Sequence, residues 1–295
     1  MAEDRLPDPP LGLVLHMPVP EANPLTREKV ALGRRLFFDK SLSADGSASC
    51  ATCHDPERAF ADSNAVAIGI RHGRGTRNAP SLVNRGYGAL QFWDGRAQSL
   101  EEQALQPVFN PDELGSNRES LERTTGLPAG KVAAALASYV RTIRSGNSRY
   151  DRFASGNFTA LSALEQEGLR VFRGKGNCAA CHVGPNFSDE QFHNTGVAWR
   201  GLLFSDEGRA RATHDSSDRG AFKTPTLRNV SLTAPYMHDG SMKTLEEVID
   251  YYSDGGRLNP HLDREMAARN FTVEEKAALA AFLRALTGDV REGWR

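Results

Sequence analysis

The sequence has no apolar run long enough to cross a bilayer and no excess of charge of either sign. Its 295 residues include 36 basic and 37 acidic side chains, for a formal net charge of −1. A balance of this kind argues against a nucleic-acid partner and against a basic face for a membrane surface. The N-terminus also lacks the basic and then apolar pattern of a signal peptide. We therefore expect neither a membrane span nor a nucleic-acid partner.

Cysteine is scarce, and all four cysteines belong to two Cys-x-x-Cys-His motifs. None is left over for a disulfide. A histidine directly after the second cysteine is typical of covalent haem c attachment, in which the thiols bond to the haem vinyl groups and the imidazole binds the iron. The first motif consists of Cys50, Cys53 and His54, and the second of Cys178, Cys181 and His182.

Two other uses of paired cysteines fit this sequence less well. In a four-cysteine zinc site the pairs are usually roughly 15 to 20 residues apart, far closer than these motifs. A redox Cys-x-x-Cys needs no histidine and sits in a βαβ context that this sequence lacks. We therefore predict two covalent haem c groups, with His54 and His182 as iron ligands. Haem attachment of this type requires export, so we expect a periplasmic protein whose signal peptide has been removed and replaced by Met1.

The sequence repeats itself around the two motifs. A short amphipathic segment that ends in an aliphatic residue and phenylalanine precedes each of them, at residues 33–37 and 168–172. A second pair of segments matches more closely, with residues 135–143 aligning with 278–286. The apolar residues of residues 132–143 recur at helical spacing and form one face. Each half therefore follows the same order of helix, haem motif, irregular excursion and terminal helix.

This order predicts a mainly α protein with two tandem cytochrome c-like domains, each wrapping one covalent haem, and little or no sheet. The predicted boundaries are an N-terminal extension over residues 1–16, a first domain over 17–155 and a second over 156–295. Gly146 and Gly288 follow the terminal helices at positions typical of helix C-caps.

One helix of the second half has an apolar face that includes a tyrosine. Thr244 and Glu247 form a capping-box pattern that opens a helix through about Tyr252. The spacing turns Tyr252 inward and leaves Tyr251 beside the polar residues. Glu113 occupies the matching position in the first half. From spacing alone Tyr252 is either a core aromatic or a haem ligand, and Glu113 is either a loop carboxylate or an acid–base residue.

Five further segments resemble one known family. Together with both haem motifs in register, they are similar to the bacterial diheme cytochrome c peroxidases and their MauG relatives, from about residue 25 to the end of the chain. The segments are RNAPSL at 77–82, FWDGR at 92–96, LEEQA at 100–104, FKTPTLRNV at 222–230 and APYMHDG at 234–240.

The resemblance implies a role for several residues. It makes the domain of His54 the peroxide-reacting one, with Glu113 as the catalytic acid–base residue and Gln103 as its hydrogen-bonding companion. Trp93 corresponds to the tryptophan between the two haems. The resemblance also implies a calcium ion between the haems, bound by oxygen atoms of Asn78, Thr233 and Pro235.

The family divides at the position fourteen residues after His238, which is Tyr252 here. The peroxidases carry a methionine ligand there, whereas the MauG-like branch carries tyrosine. Tyr252 is therefore expected to bind the iron of the second haem, with Met237 and Met242 as rival ligands. The resemblance implies an enzyme that uses hydrogen peroxide to form a high-valent diheme state, which oxidises tryptophan residues of a periplasmic partner protein.

Two other functions stay open at this point. One is a diheme cytochrome c peroxidase that takes electrons from a small cytochrome c, and the other is a non-catalytic diheme electron carrier. Gly176 stands near the place where the MauG of methylamine dehydrogenase maturation carries a surface tryptophan, so a compact, MbnH-like member of the branch is the better match. His72 is expected to be a solvated loop residue, and Trp199 and Trp294 to have packing or surface roles.

Overall fold

The computed structural model describes residues 6–294, and within them the chain is mainly helical. No helix among these residues is both long and apolar enough to span a membrane. The first half contains helices α1 (Arg27–Phe38), α2 (Cys50–Cys53), α3 (Leu100–Phe109), α4 (Arg118–Thr125) and α5 (Ala129–Arg141). The second half contains α6 (Arg149–Ala154), α7 (Ala163–Arg173), α8 (Ala210–Thr213), α9 (Leu245–Ser253) and α10 (Val273–Arg284).

The internal repeat is visible in how these helices cross. α1 packs on α5 in the first half, and α7 packs on α10 in the second. At both crossings a glycine brings the backbones together: a Cβ on Gly33 would lie 1.9 Å from the carbonyl oxygen of Ala135, and one on Gly168 would lie 1.9 Å from that of Ala278. These two helix pairs form the frame behind each haem motif.

This close approach makes the crossings sensitive to a single methyl group. A Gly33→Ala variant is expected to lose at least about 1–3 kcal/mol of unfolding free energy, because the added methyl group would overlap a backbone carbonyl that cannot move alone. Gly130→Ala is the matched control, since a Cβ at this position of α5 has nothing within 4 Å. That control should be neutral or stabilising by up to about 1 kcal/mol. Chemical denaturation of the two haem-loaded variants measures the difference, and equal stabilities would contradict the crossing.

Short strands and single-turn 3₁₀ helices make up the remaining regular structure. The strands form three antiparallel pairs: β1 (Arg144–Gly146) with β6 (Asp289–Arg291), β2 (Phe192–His193) with β5 (Phe222–Lys223), and β3 (Trp199–Arg200) with β4 (Leu203–Phe204). The prediction of a mainly α fold with little sheet is confirmed.

The prediction that Gly146 and Gly288 are helix C-caps is wrong. α5 ends at Arg141, five residues before Gly146, and α10 ends at Arg284, four residues before Gly288. A Cβ on Gly288 would lie 2.2 Å from the carbonyl oxygen of Gly146. The two glycines therefore permit a close contact where β1 meets β6, instead of ending helices.

Two apolar clusters form the cores of the two halves. In the first, the rings of Phe37 and Tyr139 meet at 5.2 Å, and in the second the rings of Phe172 and Phe282, their counterparts in the repeat, meet at 5.1 Å. Trp294 near the C-terminus packs against the first cluster. The division of the chain at residues 155 and 156 stays a prediction.

Candidate functional site

A cavity of about 640 Å³ connects the two halves, and most of the predicted site residues line it. From the first half these are His54, Trp93, Gln103 and Glu113. From the second half they are Cys178, Cys181, His182 and Tyr252. The three predicted calcium ligands Asn78, Thr233 and Pro235 line it as well. Cys50 and Cys53 are not among the lining residues, although α2 places them in the turn just before His54.

Each haem motif folds into one tight turn. The backbone N–H of His54 donates to the carbonyl oxygen of Cys50 at 3.0 Å, and that of His182 donates to Cys178 at 2.9 Å. In each case the turn holds the histidine directly after the two cysteines that would carry the thioether bonds.

The hydrogen bonds and burial of both motif histidines suit an iron ligand. Nδ1 of His54 lies 3.1 Å from the carbonyl oxygen of Phe60, and Nδ1 of His182 lies 2.8 Å from that of Phe187. Such a contact fixes the tautomer that leaves Nε2 free for iron. Burial lowers the pKa of both imidazoles, which favours the neutral form that a ligand needs. The residues present therefore fit a covalent haem in each half.

The cysteines themselves are poor redox groups. Burial raises the pKa of Cys50 and of Cys53 to about 12, and that of Cys178 to about 11. A thiol with so high a pKa is mostly protonated at neutral pH and reacts slowly as a nucleophile. This property agrees with a structural role in haem attachment and not with a dithiol redox centre.

Next to the second motif, His193 forms an unassigned polar cluster. Its Nδ1 lies 2.6 Å from Asp263 Oδ2 and its Nε2 lies 3.0 Å from Asp189 Oδ2. Cys181, Asp189 and His193 also meet the spacing of a three-ligand metal group. A thioether bond to haem removes the Cys181 thiolate from that set. What then remains is a histidine held between two carboxylates.

Glu113 lies in the loop that follows α3. Asn110 Nδ2 donates a hydrogen bond to Glu113 Oε1 at 2.7 Å, which aims the carboxyl group. Burial raises the pKa of Glu113, partly offset by this bond and by Arg96. Gln103, on α3, lines the same cavity. A partly desolvated carboxyl group with a raised pKa is better suited to proton transfer than an ordinary exposed glutamate.

The inward orientation of Tyr252 is confirmed. The four residues of the predicted apolar face of α9 all line the cavity: Leu245, Val248, Ile249 and Tyr252. The Tyr251 hydroxyl instead donates to the carbonyl oxygen of Thr195 at 2.8 Å. Burial raises the pKa of Tyr252, and the Thr195 hydroxyl opposes the rise.

Two methionines share the cavity wall with Tyr252. Met237, a rival ligand from the sequence, lines the cavity, and so does Met266, which sequence reasoning missed. Met266 follows α9 in an irregular segment, and no local pattern distinguishes it. Met242, the second rival, is buried but is not among the lining residues.

Trp93 connects the two halves. Its indole N–H donates to the carbonyl oxygen of Asn78 at 2.9 Å. Its own carbonyl oxygen accepts from the backbone N–H of Lys223 on β5 at 2.8 Å. The tryptophan is thereby fixed between a segment of the first half and a strand of the second.

The surroundings of Asn78 fit a hard cation. Asn78 Nδ2 donates to the carbonyl oxygen of Asn64 at 2.9 Å, and Asn64 Nδ2 donates to Asp62 Oδ1 at 2.9 Å. Asp62 Oδ2 is buried and has no hydrogen-bond partner among the described residues. A buried carboxylate oxygen in this condition is costly unless a cation or water is near. Calcium prefers oxygen donors of this kind.

The remaining predicted residues lie outside the cavity wall. His72 is exposed, as expected, at the end of a short 3₁₀ turn over Ile70–His72. Trp199 is half-buried, with its ring 4.9 Å from that of Phe204 across the β3–β4 pair. Trp294 packs against the first apolar cluster. Both tryptophans therefore have packing contacts, as expected.

Comparison with known proteins gives one family. Residues 27–129 match the family described as di-haem cytochrome c peroxidase. The chain is 40% identical to the methylamine utilization protein MauG of Methylorubrum extorquens, over 92% of this chain and 82% of that protein. It is 34% identical to the cytochrome c551 peroxidase of Nitrosomonas europaea, over 92% of this chain and 84% of that protein.

A solved structure agrees with the sequence matches. A MauG-like protein associated with microbial copper homeostasis superposes with a TM-score of 0.83 at 34% identity, covering 96% of this chain and 94% of that chain. The chain therefore belongs to the di-haem cytochrome c peroxidase/MauG family of haem-dependent oxidoreductases.

Proposed function

We propose that this protein is a MauG-like enzyme that uses hydrogen peroxide to oxidise tryptophan residues of a partner protein. The observation that carries the proposal is Tyr252, which faces the cavity beside the second haem motif. When bound, the two haems would supply the redox chemistry. They would reduce the peroxide and store the resulting oxidising equivalents at a distance from the peroxide site. The protein's own residues would transfer the protons, set the distance between the haems and provide the iron ligands.

Glu113 transfers the peroxide proton. Its carboxylate accepts a proton from one oxygen of hydrogen peroxide and delivers it to the other oxygen, which assists departure of water. The Asn110 side chain, 2.7 Å from Glu113 Oε1, keeps the carboxyl group aimed into the cavity. Gln103 lies on the same wall, where its amide can orient the peroxide by hydrogen bonding.

Tyr252 decides between the two branches of the family. A thioether ligand favours ferrous iron and raises the reduction potential, whereas a phenolate is a hard, anionic donor that favours ferric and higher states. With Tyr252 as its ligand, a second haem would accept electrons poorly from a small cytochrome c but could share oxidising equivalents with the first. Trp93, fixed between the halves, is the proposed connection.

The second candidate is a diheme cytochrome c peroxidase. It is favoured by Met237 and Met266, since either thioether lines the same cavity as Tyr252. In that case electrons from a small cytochrome c would reduce hydrogen peroxide, and no protein tryptophan would be changed.

The proposed cellular location and partner protein are inferred from haem attachment and from the residues before the second haem motif. Haem c attachment supports a periplasmic location, where the partner would also reside. The M. extorquens relative is named for methylamine utilization. The residues before the second haem motif here are Gly176 and Asn177, which argues against the same partner.

The modification itself can be tested on proteins encoded beside this gene. Each is incubated with the haem-loaded enzyme and stoichiometric peroxide, and its tryptophans are analysed by peptide mass spectrometry. The proposal expects oxidised tryptophan with the wild-type enzyme and none with Glu113→Gln. Peroxide turnover that depends only on a reduced small cytochrome c would support the second candidate instead.

Calcium is proposed between the haems, bound through Asn78, Thr233 and Pro235. Metal analysis of the purified protein is expected to find about one calcium per chain. Removal with a chelator should change the visible spectra of both haems and slow the reaction with peroxide, and added calcium should restore both. Asn78→Leu should behave like the chelated protein. A calcium-free protein with unchanged spectra would refute the site.

A further inference from the structure

A buried lysine faces the cavity and shares its counter-ion with an arginine. Lys223, at the end of β5, is only 8% exposed and lines the cavity. The nearest carboxylate oxygen, Glu190 Oε2, lies 3.8 Å from its Nζ, beyond hydrogen-bond distance. Its Nζ makes no hydrogen bond with any residue between positions 6 and 294. A buried ammonium group in this condition costs free energy unless another anion pairs with it.

The carboxylate of Glu190 is already used. Arg85 holds it with two hydrogen bonds, at 2.8 Å from Nη1 to Oε1 and 3.1 Å from Nη2 to Oε2. Arg85 is also 8% exposed. Two buried cations therefore share one carboxylate, which leaves one positive charge uncompensated. Burial, followed by repulsion from Arg85, lowers the pKa of Lys223 to about 7.

The position of Lys223 points to the missing anion. Its backbone N–H donates to the carbonyl oxygen of Trp93, the residue fixed between the two halves. The following residue, Thr224, is bonded to the loop that follows His182, since its carbonyl oxygen accepts from the Ser188 hydroxyl at 2.7 Å. Lys223 thus lies where Trp93 meets the wall that carries His182. The anions that a haem brings into such a cavity are its two propionates.

We propose that Lys223 binds a propionate carboxylate of the second haem. The pair completes an alternating chain of charges, in the order Arg85, Glu190, Lys223 and propionate, with no net charge left over. The lysine fixes the propionate edge of that haem next to Trp93. Its positive charge also favours the reduced state of the iron, because the reduced haem carries one positive charge less. This proposal concerns haem binding and does not depend on the reaction with peroxide.

The test compares haem-loaded Lys223→Met with the wild type, in the absence of peroxide. Spectroelectrochemistry measures the midpoint potential of each haem, and resonance Raman spectroscopy reports the propionate bending band. The potential of the His182 haem is expected to fall and its propionate band to shift, while the His54 haem stays unchanged. Lys223→Arg should restore both values towards wild type. Lys131→Met, on an exposed position of α5, is the matched control and should change neither.

Three results would overturn the proposal. The first is that Lys223→Met leaves both potentials and the propionate band unchanged. The second is a shift confined to the His54 haem. The third is that added chloride or phosphate changes the potential of the wild type but not that of Lys223→Met. The last result would mean that a free anion occupies the site. If Lys223→Met does not assemble with both haems, Glu190→Gln provides the opposite test. Loss of that negative charge should raise the potential of the His182 haem, and no change would refute the charge chain.

Discussion

Replacing Tyr252 by methionine is expected to raise the reduction potential of the second haem by a few tenths of a volt, within the roughly 0.8 V range that axial ligands span. Tyr252 lies on the cavity-facing side of α9. A phenolate stabilises ferric iron, and a thioether in its place stabilises ferrous iron. The variant should accept electrons from a small cytochrome c and should lose the oxidation of a partner's tryptophan. Spectroelectrochemistry of the haem-loaded variant measures the potential.

Tyr251→Phe is the matched control for this experiment. The Tyr251 hydroxyl bonds to the Thr195 carbonyl oxygen, so its loss removes one hydrogen bond and should leave both potentials unchanged. If Tyr252→Met keeps the wild-type spectrum and potential, Tyr252 is not the ligand. In that case leucine variants of Met237 and Met266 would identify the residue that is.

Replacing Glu113 by glutamine is expected to slow the reaction with hydrogen peroxide by about 10²–10⁴-fold, the usual contribution of general acid–base catalysis. Glutamine has nearly the same shape and cannot accept the peroxide proton. Spectra of the diferric protein should be unchanged, because Glu113 is not an iron ligand in this account. Stopped-flow absorption with stoichiometric peroxide measures the rate. The neighbouring Asp112→Asn is the control. Asp112 is exposed and its charge contributes only a small part of the raised pKa of Glu113, so the rate at a pH well above that pKa should be unchanged.

The same carboxyl group predicts a pH dependence. Burial raises the pKa of Glu113 above its usual value. The reaction requires the deprotonated form, so the rate should fall as the pH drops through this raised pKa. The acid limb should therefore lie at a higher pH than for an ordinary glutamate, and it should be absent in Glu113→Gln. An identical acid limb in both proteins would assign it to another group.

Features with a local signal were accessible from the sequence. The haem motifs are contiguous, so their spacing alone indicates covalent haem. The face of α9 follows from helical periodicity, and Thr244 caps the helix, with its hydroxyl accepting from the Glu247 N–H. The predicted capping box is only half formed, because the Glu247 carboxylate accepts from the backbone N–H of Lys243 instead of Thr244. The repeat predicted that residues 135–143 and 278–286 play equivalent parts, and the two glycine crossings show that it extends to packing.

Features that depend on distant contacts were not accessible. Gly146 and Gly288 look like helix caps in isolation, but pairing of β1 with β6 decides their role. Met266 reaches the cavity from an irregular segment. The charge imbalance around Lys223 exists only because Arg85 and Glu190, 105 residues apart, meet beside it. Neither helical periodicity nor a capping pattern predicts a contact between residues so far apart in the sequence.

Two haems, one of them bound by Tyr252, are proposed to share oxidising equivalents without prior reduction. This sharing is tested most directly by adding one equivalent of hydrogen peroxide to the as-isolated diferric protein and recording the visible and near-infrared spectrum. We expect a long-lived near-infrared charge-resonance band that decays faster when an oxidisable partner protein is present. No spectral change until one haem has been reduced would contradict it and would indicate a reductively activated peroxidase.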